Sequence, residues 1–87
     1  MSQEIQVHDS ARKHGLDAQE IISLWADAFE RYVLEDDLPG RELRVAMMPN
    51  GRLIELVGII FDDNQRTLII RAMKLRKSTI ARIEDVK

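Results

Sequence analysis

The chain has 87 residues, of which 45% are hydrophobic and 32% are charged, and this composition is typical of one folded domain spanning residues 1–87. It contains no cysteine, which excludes a disulfide scaffold, thiol chemistry and cysteine-ligated zinc. The net charge of −2 excludes a uniformly basic nucleic-acid-binding domain, and no apolar run approaches the length of a membrane-spanning helix.

The first residues predict a short strand and a helical turn. Ile5 and Val7 alternate with polar neighbours, as in a strand with one buried face. A helical turn is then expected over residues 11–14, and Gly15 follows where a left-handed helix end favours glycine. The start of the chain has no basic stretch followed by an apolar one, so we expect no signal peptide and a cytoplasmic protein.

The next segment predicts a longer amphipathic helix over residues 17–32. Asp17 and Glu20 have the spacing of a capping box, in which each side chain binds the other residue's backbone amide. Apolar residues then recur at three-and-four spacing and predict one buried face. This stripe comprises Ala18, Ile21, Ile22, Trp25, Ala28, Phe29, Tyr32 and Val33. Because Trp25 and Phe29 belong to it, we expect both in the core and not stacked on nucleic-acid bases.

The second half predicts an antiparallel β-meander and a final helix. Asn50-Gly51 is a hairpin signal, because these residues tolerate the positive φ of a tight turn. The run 53–61 is almost continuously apolar, as in a central strand covered on both faces. The expected elements are a turn at 35–40, strands at 43–47, 53–61 and 67–73, a turn at 62–65 and a short helix at about 78–86. The predicted fold is α+β, a two-layer sandwich with the meander packed against the N-terminal amphipathic helices.

The charge is divided between the two halves of the chain. Residues 1–40 hold three basic and nine acidic side chains, a net charge of −6, whereas residues 41–87 hold ten and six, a net charge of +4. Six cations fall within residues 66–82 with no acid among them: Arg66, Arg71, Lys74, Arg76, Lys77 and Arg82. Such a cluster at a strand exit can bind phosphate by charge-assisted hydrogen bonds. A solvated basic face and a surface for an acidic protein partner are the alternatives.

Glu55 is the second unusual residue, because it interrupts the apolar run of the central strand. A buried carboxylate must be paired, or its pKa rises. It could act as a general base, orient a catalytic arginine, or form a structural ion pair with Arg44 or Arg71. With three residues in the turn at 62–65 it would face Arg71, and with two it would face Ala72; the sequence leaves this register open.

No metal or cofactor is expected from the remaining polar residues. His8 and His14 are six residues apart on different elements, which argues against zinc, and His14 suits a helix C-terminal cap better than a catalytic base. The acid pairs 36–37 and 62–63 could hold a hard cation, but they lie in predicted turns, where aspartate is ordinary.

Three segments, in this order, together resemble the BrnT-type toxins. Asp9–Leu16 contains a Lys-His-Gly step, Gly51–Val57 is a central strand that follows Gly-Arg, and Leu68–Lys74 is a last strand with a basic exit. The resemblance implies a RelE-like ribonuclease fold, RNA cleavage without a metal, and neutralisation by a cognate antitoxin. Met73 stands where typical members have an arginine, so that cation is either absent or supplied by Arg71.

The resemblance and the charge pattern together select the candidate site residues. Arg71, Lys74, Arg76 and Glu55 are the catalytic candidates, and Arg52, Lys77 and Arg44 are the candidates for binding RNA phosphates. The predicted function is a metal-independent endoribonuclease of a type II toxin–antitoxin pair. The alternative is a non-catalytic interaction module that keeps the fold and binds a partner or forms a homodimer. A DNA-binding regulator is disfavoured, because the sequence shows no helix-turn-helix pattern.

Overall fold

The fold is α+β, as predicted. The computed structural model describes residues 4–35, 39–61 and 66–86. Within them a five-stranded sheet carries one helix on each side. The elements are β1 (Glu4–Val7), a 3₁₀ turn (Asp9–Arg12), α1 (Ala18–Ala26), β2 (Glu30–Glu35), β3 (Gly40–Met47), β4 (Leu53–Phe61), β5 (Arg66–Lys74) and α2 (Lys77–Val86). Neither helix in the described part of the chain is long and apolar enough to cross a membrane.

The predicted meander forms the centre of the sheet. The strand order is β1-β5-β4-β3-β2, and all neighbours are antiparallel except β1, which pairs parallel to β5. The hairpin between β3 and β4 has the expected turn, with Gly51 at φ 87° and its amide donating to the Met48 carbonyl at 2.8 Å. Residues 36–38 of the predicted turn at 35–40, and all residues of the predicted turn at 62–65, lie outside the described part of the chain.

The prediction of one helix over residues 17–32 is wrong in its second half. The capping box of Asp17 and Glu20 is present, but the helix ends at Ala26, and residues 30–35 form β2 instead. Exposure alternates along β2, as it does in a strand with one covered face. Phe29 and Val33 are 57% and 67% exposed, so these two are not core residues. Aromatic and β-branched side chains favour a strand here, and β3 provides the pairing partner.

The core lies between α1 and one face of the sheet. Trp25 and Ile21 of α1 are buried against β4 and β5, among residues that include Leu56 and Ile69. The Trp25 ring packs on Gly58, where a β-carbon would lie 2.6 Å from the Trp25 Cη2 atom. This contact coincides with a register shift between Val57 and Gly58 of β4. A side chain at position 58 would therefore displace the tryptophan.

The second helix covers the opposite face of the sheet, which corrects the expected two-layer arrangement. Successive strand residues point to opposite faces. Leu56 faces α1, so Glu55 faces the other side, where the Thr79 hydroxyl of α2 donates to it at 2.7 Å. Ile80 and Ile83 of α2 line a groove with residues of β3 and β4 on this face. The sheet is thus a central layer between two helices, and the face under α2 contains the candidate site.

Candidate functional site

Glu55 is the centre of a hydrogen-bonded cluster beneath the start of α2. Its side chain is 1% exposed. One carboxylate oxygen, Oε1, accepts from the Arg76 backbone amide at 3.0 Å, from Arg76 Nε at 3.3 Å and from the Thr79 hydroxyl at 2.7 Å. The other, Oε2, accepts from Arg76 Nη2 at 2.9 Å and lies 3.8 Å from Arg71 Nη1. The carboxylate therefore anchors the first turn of α2 to the sheet.

The alignment of Glu55 with β5 differs from both predicted registers. Glu55 pairs with Met73, not with Arg71 or Ala72. At the ends of β4 and β5 nearest the turn, Phe61 pairs with Arg66, which is the register predicted for a two-residue loop. At Gly58 one additional residue, Ile70, enters β5 as a bulge and moves every later pair by one. The side-chain partner that the sequence analysis left open is Arg76, with Arg71 farther away and Arg44 not involved.

The cluster keeps Glu55 ionised. Burial raises the pKa of its carboxyl, but the hydrogen bonds from the Arg76 side chain, the Thr79 hydroxyl and the Arg76 amide, with the charge of Arg76, outweigh burial. The net pKa of Glu55 therefore lies below its usual value. The same hydrogen bond and charge raise the pKa of Arg76. A carboxylate held in this way is a poor proton acceptor and serves better to orient the arginine.

The arginines around Glu55 line an open cleft of about 220 Å³ on this face of the sheet. Its charged and hydroxyl-bearing lining residues are Arg41, Arg71, Arg76, Arg82, Glu55 and Thr79. Four guanidinium groups and one carboxylate thus line one cavity, which we call the four-arginine cleft; Arg76 and Arg71 lie at the carboxylate, and Arg41 also pairs with Glu35 at 3.6 Å. The side chains of Arg71 and Arg76 are 46% and 43% exposed, so their donors can reach a ligand from solvent. Such an arrangement is suited to an anion with several oxygens, such as a phosphate group.

Two members of the cleft were missed as site residues by sequence reasoning. Arg41 directly follows the predicted turn at 35–40 and is far in sequence from the basic segment 66–82. It reaches the cleft because it lies on the same sheet face as Leu43 and Glu55. Arg82 belonged to the recognised basic cluster, and its spacing of three from Thr79 on a helix is the signal that could have selected it.

Arg44 lies on the opposite face of the sheet, away from the cleft. Its Nε donates to Glu42 Oε2 at 2.6 Å, its Nη1 donates to the Trp25 carbonyl at 2.8 Å, and its guanidinium stacks 4.0 Å from the Trp25 ring centre. Only 14% of the side chain is exposed. The structure therefore gives Arg44 a packing role and does not bring it to the phosphate-binding candidates.

The remaining three candidates, Arg52, Lys74 and Lys77, lie outside the four-arginine cleft at two other positions on the protein. Arg52 and Lys74 line a separate small cavity together with His14. Lys77 begins α2 as an exposed residue and does not line the four-arginine cleft. The seven predicted residues are thus not one site: three meet in the cleft, two lie at the second cavity, and the remaining two are elsewhere.

Apart from its arginines, the cleft has few polar lining residues. Among its lining residues Glu55 is the only acid, and no histidine or aromatic side chain contributes. In the described part of the chain, no group of three or more histidine and acidic side chains is arranged to hold a metal. Comparisons of the chain with models of known protein families, with curated proteins and with solved structures found no match.

Proposed function

We propose that the protein binds the phosphate backbone of RNA in the four-arginine cleft. The observation that carries this proposal is the convergence of Arg41, Arg71, Arg76 and Arg82 on one cavity with a single carboxylate, which Arg76 and Thr79 already hydrogen-bond. Guanidinium groups bind phosphate oxygens with paired hydrogen bonds. The overall charge of −2 is no obstacle, since the local charge of the cleft is positive.

The cleft composition supports binding of the backbone and not reading of bases. Sequence-tolerant stacking needs aromatic side chains, and none lines the cleft. Phosphate contacts alone carry little sequence information. The choice of RNA as ligand rests on the resemblance of three segments to BrnT-type toxins, which also supports a RelE-like fold for the domain and a cognate antitoxin as its partner.

We further propose that the cleft cleaves the bound RNA without a metal. The ribose 2′-oxygen attacks the adjacent phosphorus, the bond from phosphorus to the 5′-oxygen breaks, and the products carry a 2′,3′-cyclic phosphate and a 5′-hydroxyl. Arg71 and Arg82 stabilise the charge that develops on the phosphate oxygens, and Glu55 positions Arg76. The proton of the 2′-hydroxyl passes to water and water returns one to the leaving oxygen, because Glu55 is held by four hydrogen bonds from Arg76 and Thr79 and is a poor proton acceptor.

The binding step is tested with a labelled single-stranded oligoribonucleotide, whose fluorescence anisotropy reports affinity at low salt. The double variant R71Q/R82Q removes two cleft cations and should weaken binding at least tenfold. The matched control R12Q/K13Q removes two exposed cations that do not line the cleft, and it should change affinity less than threefold. Equal affinities of the two variants would contradict the assignment of the cleft.

The cleavage step is tested by incubating the labelled RNA with the protein in the presence of a metal chelator. Appearance of cyclic-phosphate products that R71Q/R82Q does not form would support it. Expression of the protein should also slow growth, and co-expression of the neighbouring reading frame should restore it if that frame encodes the antitoxin. Intact RNA together with unimpaired growth would rule out the ribonuclease and leave only binding.

A non-catalytic interaction module is the second candidate, and one observation favours it. Glu55 is the only acid among the cleft's described lining residues, and it already accepts four hydrogen bonds from Arg76 and Thr79, which makes it a poor proton acceptor. In this case the cleft binds an acidic segment of a protein partner. Size-exclusion chromatography with the co-expressed neighbour at low and high salt tests it: a complex that dissociates in salt supports this function, and a lone monomer at both contradicts it.

A further inference from the structure

A second cationic cavity lies on the α1 side of the sheet. His14 follows the 3₁₀ turn, Arg52 precedes β4, and Lys74 ends β5, and all three line a cavity of about 200 Å³. Ile54 and Lys74 are paired across β4 and β5 and share the face that packs on α1. The cavity is therefore separate from the four-arginine cleft, which opens on the opposite face.

The three basic side chains have no protein partner in the part of the chain that the structure describes. Among the described residues, no ion pair or hydrogen bond is formed by the side chain of His14, Arg52 or Lys74, and all three residues are exposed. By contrast, Arg44 and Arg76 are each held by a buried glutamate. Cations that converge on a cavity without internal compensation leave their hydrogen-bond donors available to an anion.

The floor of the cavity is apolar. Ile54 is buried, and Leu16 and Met48 are half-buried around it. A ligand complementary to this cavity therefore has one strongly anionic end and one small apolar part. The volume of about 200 Å³ is below the roughly 300–1,000 Å³ of drug-sized ligand sites, so the ligand is small.

We propose that this second cavity binds a phosphate monoester, with the phosphate on His14, Arg52 and Lys74 and the organic group against the apolar floor of Ile54, Leu16 and Met48. Two sources offer this chemistry, a free small phosphate ester and the terminal phosphate of an RNA chain. Glu20 also lines the cavity, and its Oε1 accepts from the Asp17 amide at 3.2 Å. Its negative charge opposes the ligand, so its neutralisation should strengthen binding.

The site is tested by two-dimensional NMR titration of the protein with inorganic phosphate and with phenyl phosphate. Both should shift the amide resonances of Gly15 and Met73, and phenyl phosphate should bind at least threefold more tightly because of the apolar floor. The variant R52Q/K74Q should weaken binding at least tenfold. The variant E20Q keeps a capping residue able to bind the Asp17 amide, and it should tighten binding about twofold.

The cleft variant R71Q/R82Q serves as the control: the affinity for phenyl phosphate that the shift at Gly15 reports should equal that of the unaltered protein, whether or not the cleft also binds phosphate. The two ligand sources are separated by oligoribonucleotides with and without a 5′-phosphate. A gain from the 5′-phosphate that R52Q/K74Q loses assigns the site to RNA ends, and no gain assigns it to small esters. Unchanged affinity in R52Q/K74Q, or shifts that avoid residues around the cavity, would overturn the proposal.

Discussion

Glu42 and Glu55 are both buried in the sheet, and each binds arginine side chains, but on opposite faces. Arg44 Nε lies 2.6 Å from Glu42, and its guanidinium also contacts the ring and the carbonyl of Trp25. The guanidinium of Arg44 is therefore bound by groups of the protein itself. Glu55 holds Arg76 at 2.9 Å, but Arg76 and its neighbour Arg71 remain almost half exposed beside a cavity.

The two clusters use the same residue types and differ in what surrounds the arginine. Where an aromatic ring and a carbonyl take up the remaining donors, the arginine stabilises packing. Where additional arginines converge with their donors open to solvent, the cluster is able to bind an anion. Four experiments test this contrast, beginning with the largest expected effect.

Removal of Glu55 should be the more damaging of the two glutamate deletions. The variant Glu55→Ala leaves the buried Thr79 hydroxyl and the Arg76 amide without their acceptor, and we expect a loss of about 3 kcal/mol in the free energy of unfolding. Glu42→Ala should cost about 1.5 kcal/mol, because Arg44 keeps the Trp25 carbonyl and ring. Urea denaturation measures both. Equal losses would mean that Glu55 does not anchor α2.

Gly58→Ala should disturb the Arg44 side of the sheet alone. The new β-carbon would lie 2.6 Å from Trp25 Cη2 and 3.1 Å from Thr67 Cγ2, so overpacking should cost about 2 kcal/mol. The four-arginine cleft opens on the other face, and RNA affinity at a temperature where the variant is folded should stay within twofold. A stable variant, or a folded one with weakened RNA binding, would contradict the separation of the two faces.

Single substitutions of the two kinds of arginine should show opposite effects. Arg44→Gln should lower stability by about 1.5 kcal/mol, since a cation–π contact and two hydrogen bonds are lost, and leave RNA binding unchanged. Arg71→Gln should change stability by less than about 0.5 kcal/mol. It should also lower the slope of log affinity against log salt by about 0.7, the value for one phosphate contact on a single strand. The same salt slope in both variants would argue against the cleft.

The smallest effect concerns pH. The pKa of Glu55 is lowered in the folded state, so the stability that its ionised form contributes is present above its ordinary pKa and is lost as the pH falls through the folded-state pKa. The stability difference between the protein and Glu55→Gln should therefore be largest near neutral pH and shrink as the pH falls below about 4. Parallel stability curves for the two proteins over this range would show that the cluster does not hold the carboxyl ionised.

Local chemistry was sufficient to predict much of the secondary structure. The capping box at Asp17, the Asn50-Gly51 turn and the apolar run of β4 each specify their conformation through residues close in sequence. Residues 27–33 could not be assigned in this way, because their apolar spacing also fits a helix. The available edge of β3 decided in favour of a strand.

The sequence by itself determined the α+β class, the central meander and the accumulation of cations after residue 66, since these follow from composition and near-neighbour patterns. Only the tertiary structure decided which cations meet. The bulge at Ile70, which coincides with the contact of Trp25 on Gly58, set the register of Glu55. Arg41 and Arg82 are 41 positions apart in sequence. They reach the same cleft because Arg41 of β3 lies on the sheet face that α2 covers. A functional site of this kind depends on long-range packing, which no local pattern encodes.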